Sequence, residues 1–112
     1  MAGKTHLGAF EQLVMLAILQ LRDDAFGPSI SASIEDKADR QVSRGALYAT
    51  LDRLEDKGML EWDAKPATEH RGGHRRRRFR VTSRGIRALA DSRRTLINLW
   101  HGLEDVFSGV PR

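Results

Sequence analysis

Hydrophobic positions along this chain change period twice, from helical to alternating and back. Between Leu7 and Arg22, Leu7, Phe10, Val14, Ala17 and Leu21 step by three and four residues, the spacing of an amphipathic helix with a heptad-like seam. Leu13, Met15, Leu16, Ile18 and Leu19 are apolar as well, so this helix needs cover on more than one side. Either a second subunit supplies that cover or the helix lies at the centre of its own monomer. Arg22–Phe26, with Asp23 and Asp24, reads as a polar turn. Gly27-Pro28 opens a short second helix, because proline's fixed φ suits a first turn, and Ile30, Ile34 and Ala38 form its buried stripe as far as Asp39. Arg40–Val42 is predicted as a brief edge strand.

The third helix is the most sharply punctuated. Ser43 is a good N-cap and Gly58 supplies a left-handed stop. Leu47, Leu51 and Leu54 make the buried stripe, while Arg44, Tyr48, Ala49, Asp52, Arg53 and Asp56 lie on the other face. Apart from Arg44, its first turn is small: Ser43, Gly45 and Ala46. Such a helix end can approach another surface closely, and its free amides favour a phosphate. An ordinary amphipathic core helix would carry much of the same pattern.

Beyond Gly58 the alternation begins. Met59, Leu60 and Trp62 start a strand, 65–74 is a loop containing Pro66, Gly72 and Gly73, and Arg75–Thr82 resumes as a strand. Phe79 and Val81 are expected to face the core, with Arg76, Arg78 and Arg80 on the far side and Trp62 packing at the hairpin's base. Thr82 or Ser83 then caps a final helix. Ile86, Leu89, Leu96, Trp100, Leu103 and Phe107 mark a coiled-coil-like stripe broken only at Arg93, which predicts one rod of about 35 Å that outruns the body beneath it. The fold class is mainly α with a small β-hairpin. A winged helix-turn-helix over 1–82 and a C-terminal dimerisation helix over 83–112 are expected to form one compact unit.

Charge sharpens the picture. The chain carries +4 net, yet residues 71–80 hold six arginines and no acid, so the remainder sums to −2. The basicity is local, as at a contact site. There are no cysteines, so disulfides and thiolate metal sites are excluded and a reducing cytoplasm is compatible. No signal-peptide pattern is seen, and the apolar run Leu13–Leu19 is too short to span a membrane. His70 and His74, with Glu69, fall in a predicted loop without a third convincing ligand, so neither metal nor cofactor is expected. No phosphate-binding glycine loop or nucleophile elbow is present, and the chain is expected not to be an enzyme.

Helix–helix–helix–basic hairpin–long helix is the order of a winged helix-turn-helix. Its third helix enters the major groove by its N-terminal end, and its wing lies along the phosphates. The chain resembles the PadR family of transcriptional regulators from about Leu7 to Phe107. The resemblance is carried by ALYATLDRLEDKGML (Ala46–Leu60), RGGHRRRRFRVTSRG (Arg71–Gly85) and Leu89. It implies a homodimeric DNA-binding repressor joined through its first and last helices, in the short form with one C-terminal helix, and responsive to phenolic acids, drugs or other small aromatic compounds. Arg44 stands where a proline is common and Phe79 where a tyrosine is common.

The expected contacts to a double-stranded DNA operator are Ser43, Arg44, Gly45, Tyr48 and Arg53 on the third helix, and Gly73, His74, Arg75 and Arg76 at the wing. Arg44 suits a guanine edge or a phosphate. Tyr48 suits a phosphate or packing against the wing, and Arg53 a phosphate or an intrahelical bond to Asp52 or Asp56. Dimerisation is assigned to Leu7, Phe10, Val14, Leu96, Trp100, Leu103 and Phe107. Some relatives in the family use an aromatic residue of the last helix to hold effectors. By that resemblance a small aromatic effector is assigned to Phe10, Val14, Leu96, Trp100 and Leu103, the alternative being that Trp100 only fills the dimer core. A winged-helix protein-interaction module without DNA binding, and a dimeric ligand carrier, are the competing functions.

Overall fold

A computed structural model describes residues 6–66 and 75–111. Helix α1 (Ala9–Leu21) begins where Glu11 turns back to accept the Gly8 N–H at 2.8 Å. A 3-10 turn at Arg22–Asp24 leads to α2 (Gly27–Ala38), which has Pro28 in its first turn and buries Ile30 and Ile34. Asp39 ends it at φ 50°, a left-handed conformation that aspartate tolerates better than most residues. In α3 (Arg44–Asp56) the Ser43 hydroxyl accepts the Ala46 N–H at 3.1 Å, and Leu47, Thr50, Leu51 and Leu54 are buried. Gly58, at φ 76°, turns the chain into the hairpin.

Strands β1 (Leu60–Pro66) and β2 (Arg75–Val81) pair antiparallel, with Trp62 opposite Phe79 and Asp63 opposite Arg78. The edge strand expected at Arg40–Val42 does not form, because the Val42 N–H is taken by the Glu35 carboxylate at 3.1 Å. The hairpin is bordered instead by the residues before α2. Phe26 bridges to Arg78, and the Phe79 N–H donates to the Ala25 carbonyl at 2.9 Å.

The core gathers Val14, Met15 and Ile18 of α1 with Ile30, Leu47, Leu51, Leu54, Met59 and Phe79. Helix α1 is therefore central to its own monomer, while Leu16 and Leu19 remain exposed on its other side. Both kinds of cover anticipated for this helix have a face to act on.

Helix α4 (Ser83–Trp100) starts on Thr82, whose hydroxyl accepts the Gly85 N–H at 3.1 Å and donates to the Gly58 carbonyl at 2.7 Å. That cap ties the start of α4 to the end of α3. Only Gly85 and Ala88 of α4 are buried, and every described residue from Arg93 onward is exposed. The single rod expected to reach Phe107 is not observed. Helix α4 stops at Trp100, Gly102 adopts φ 86°, and a short α5 (Glu104–Phe107) follows. A left-handed glycine ends a helix because the turn needs a residue without Cβ strain. The Trp100 and Phe107 rings lie 4.8 Å apart at 52°, so Phe107 folds back on the indole and does not extend a stripe. The radius of gyration is 16.3 Å, against about 13 Å for a compact chain of this length, which fits an arm standing off the body.

Candidate nucleic-acid interface

The first turn of α3 is open. Ser43, Arg44, Gly45 and Ala46 are exposed, and a Cβ built on Gly45 meets nothing within 4 Å. The packing of the fold itself does not demand a glycine there. The Arg44 guanidinium lies 5.2 Å from the Tyr48 ring centre, and Arg77 of β2 lies 5.6 Å from the same ring. The Tyr48 hydroxyl occupies the space a side chain at Gly27 would need, 1.9 Å from an added Cβ. Of the two roles expected for Tyr48, the packing against the wing is present, and its ring also lines a groove.

That groove, of about 300 Å³, is lined by Phe26, Gly27, Pro28, Arg44, Tyr48, Arg76 and Arg77. Three elements converge on it: the first turn of α2, the first turn of α3 and the wing strand β2. Its lining holds three arginines and no carboxylate. The first turn of α2 adds the positive end of a helix dipole.

The wing arginines divide by strand register. Arg78 faces Asp63 and donates two bonds at 3.3 and 3.1 Å, while Arg80 donates to Glu61 at 3.1 Å. The Arg78 bonds hold the Asp63 carboxyl below the ordinary carboxylate range. Arg77 lies on the core side with Phe79. It sits 5.3 Å from both the Trp62 and Phe79 rings and bonds Asp52 of α3 at 3.4 Å. Arg76 is exposed, 5.9 Å from the Phe26 ring and with no carboxylate partner among the described residues. The arginine run is therefore part ion-pair ladder and part free cation.

Arg77 was missed in the sequence reading. Its one signal was parity: it alternates with Phe79 and Val81, a core-facing register that seldom carries an arginine. Arg53 needs correction as a groove residue. It lies about two and a half turns from Arg44, so the two leave opposite sides of α3. Its Nε donates to Glu11 at 3.1 Å and its Nη2 to Thr50 at 3.1 Å, not to Asp52 or Asp56. Gly73 and His74 lie outside the described residues, as do Glu69, His70 and the side chain of Arg75. Among the described residues no group of histidine, aspartate and glutamate has metal-binding proximity.

Two residues assigned to the dimer are also corrected. Val14, at 0% exposure, is packed into the monomer's own core and presents no surface to a partner or an effector; Leu7, at 9%, is mostly packed there too, its remaining surface lining a cleft against α4. Phe10 is half-buried under the Arg40 guanidinium, 4.7 Å from its ring centre. Leu96, Trp100, Leu103 and Phe107 are exposed, and Ile97 and Leu99 extend the apolar surface.

A helical trio, an open recognition helix and a basic two-stranded wing define the class: a winged helix-turn-helix unit that binds DNA. Residues 15–91 match the transcriptional regulator PadR-like family, and the chain belongs to that family. The fold is shared with a PadR-like transcription factor from Bacteroides fragilis, at 21% identity and TM-score 0.69 over 87% of this chain and 88% of that one. A PadR family regulator from Eggerthella lenta is 28% identical, with TM-score 0.65 over 88% and 83% of the two chains. A PadR family regulator from Clostridium difficile, 20% identical, gives a TM-score of 0.67 over 90% of this chain and all (100%) of that one. No curated protein matches the chain in sequence. Membership makes it a DNA-binding transcription regulator, in a family of regulators and not of enzymes. Among the described residues no helix is long and apolar enough to cross a membrane.

Proposed function

We propose that the protein is a cytoplasmic, homodimeric repressor that reads a two-fold operator and is released by a small planar aromatic compound. The observation that carries this reading is the convergence of Arg44, Tyr48, Arg76 and Arg77 on one groove at the open end of α3. Ser43, Arg44, Gly45 and Tyr48 approach the major groove, Arg44 reads a base edge, and Arg76 holds a phosphate together with Arg75 and the wing tip at Gly73 and His74. Residues 1–82 form the reading unit and residues 83–112 the dimerisation element. Leu96, Ile97, Leu99 and Trp100 leave an apolar surface on α4 that a monomer in water would not keep bare, and a second copy covers it by two-fold symmetry. Leu103 and Phe107 continue it beyond α4, and Phe10 of α1 is assigned to the same interface.

Trp100, at 53% exposure, then offers an indole face in each subunit. Stacking of a planar ligand contributes roughly 0.5–1.5 kcal/mol per ring pair beyond burial. Release requires the ligand to favour a dimer whose recognition helices are wrongly spaced for DNA. Selection of bound duplexes from a random library tests the reading. A dimer enriches a palindrome with half-sites about one helical turn apart. No enrichment, or an asymmetric single half-site, overturns it. In Trp62→Phe protein, planar aromatic compounds should quench Trp100 saturably and weaken binding to the enriched duplex. Quenching without loss of binding removes the effector.

A further inference from the structure

Glu11 is a carboxylate at 6% exposure, enclosed between the start of α1 and the partly exposed Arg53 and Lys57 side chains at the end of α3. Nothing in the DNA groove explains it. Its Oε1 accepts the Gly8 N–H at 2.8 Å, which ties it to its own helix start. Its Oε2 accepts Arg53 Nε at 3.1 Å and Lys57 Nζ at 2.9 Å, both reaching across from the end of α3. The neighbouring residue on α1, Phe10, lies under Arg40, which stands in the turn leading into α3. One turn of α1 thus grips the recognition helix near both ends. On its other side Gln12 of the same turn, with Leu7 just ahead of α1, lines a cleft of about 200 Å³ against Asp91, Ser92, Thr95 and Leu96 of α4.

Burying a paired charge adds little net stability compared with an apolar side chain of similar size, but it fixes the relative position of the elements it joins. We propose that Glu11 is a positioning residue for DNA reading: through Arg53 and Lys57 it sets the angle of α3, and so where Arg44 meets the base edges. The inference rests on the DNA-binding reading above. The lever is long enough to matter. Arg44 and Arg53 are separated by about 13 Å along the helix, so a tilt of about 10° at the Glu11 end displaces Arg44 by about 2 Å. A hydrogen bond to a base edge does not survive that displacement, whereas a flexible arginine follows a phosphate. Loosening Glu11 therefore removes sequence discrimination and spares backbone binding. The turn that lines the α4 cleft is the turn that holds α3, so a shift of α4 has a direct route to the reading end.

The test compares two probes, a duplex enriched by the wild-type protein and a mixed-sequence duplex of the same length. Glu11→Gln keeps the size and the Gly8 acceptor but removes the charge. It should weaken the enriched duplex at least about tenfold, within the range of ordinary coupling between sites, and leave the mixed duplex and its salt slope unchanged. Arg53→Gln, on the solvent side of the pair, should do the same, and the double variant should cost no more than either single one. Equal losses on both probes, additive losses in the double variant, or no loss in either overturn the inference. So does a salt slope that falls by about 0.9 per subunit in Arg53→Gln, which would make Arg53 a phosphate contact. If the wild type holds neither duplex at low salt, the DNA reading falls and this inference with it. Wild-type binding with proportional losses in the variants overturns the inference alone.

Discussion

Replacing Gly27 by alanine perturbs the groove from beneath, without touching a charge. A methyl at that position lies 1.9 Å from the Tyr48 hydroxyl oxygen and 2.7 Å from Cζ. Ordinary contact needs about 3.5 Å, so the ring must retreat by roughly 1.5 Å. Arg44 is stacked on the ring at 5.2 Å and Arg77 at 5.6 Å, which leaves the groove as the open direction. Overpacking of this kind costs about 1–3 kcal/mol, and alanine in place of a helical glycine returns roughly 0.5–1 kcal/mol. The net loss is about 0–2.5 kcal/mol, a fall in melting temperature of up to roughly 20 °C. Binding should suffer more than stability, because the displaced ring fills the groove and takes the Arg44 platform with it. A loss of at least about tenfold in affinity, or 1.4 kcal/mol, is expected on the enriched duplex. Fluorescence anisotropy on protein shown to be folded by circular dichroism measures it. Unchanged affinity in a folded Gly27→Ala protein refutes the reasoning, since it means the groove is not where DNA sits.

Gly85→Ala should destabilise the fold by about 1–3 kcal/mol in chemical denaturation while leaving affinity per folded molecule intact. Its added methyl meets the Met59 carbonyl at 2.5 Å and Val81 Cγ1 at 2.6 Å; wild-type stability contradicts the packing described. Leu99→Asp, at a position 67% exposed in the single chain, should keep the monomer's secondary structure but halve the mass in light scattering, because it places a charge in the apolar interface. An unchanged dimer moves the interface off this face. Burial alone raises the Glu11 carboxyl's pKa, but the Gly8 N–H, Lys57 and Arg53 bonds outweigh it and hold it below the ordinary value of 4.5. Because the folded value is the depressed one, the stability it contributes is present above the ordinary value and disappears as pH falls through the folded value. Wild type should therefore lose more stability than Glu11→Gln on acidification below pH 4.5; parallel acid profiles argue against the ion pairs.

The elements legible in the sequence are those set by local chemistry. Ser43, Thr82 and Gly58 marked helix ends, and each acts where its type is favoured. The alternation at Phe79 and Val81 gave the hairpin its inward face. What was misread depends on a count or on distance. The three-and-four spacing beyond Leu96 was taken as one stripe, although Gly102 was a visible helix stop between its halves. The role of Glu11 had no signal in the sequence, because its partners lie 42 and 46 residues away and leave no local trace. Val14 fitted a dimer seam by periodicity, but the same spacing serves a monomer core, and only packing decides between them. In the arginine run, composition marks only the region, while register decides which cations are engaged by Asp63, Glu61 and Asp52.

The central claim is that the Arg44–Tyr48–Arg76 groove holds a phosphate backbone, and a salt series on a mixed-sequence duplex tests it most directly. Binding should fall steeply as salt rises, by about 0.9 in the logarithmic slope for each phosphate engaged, and Arg76→Ala should lower that slope. A flat salt response, or a slope untouched by Arg76→Ala, contradicts the claim and leaves the wing as an interaction surface for something other than DNA.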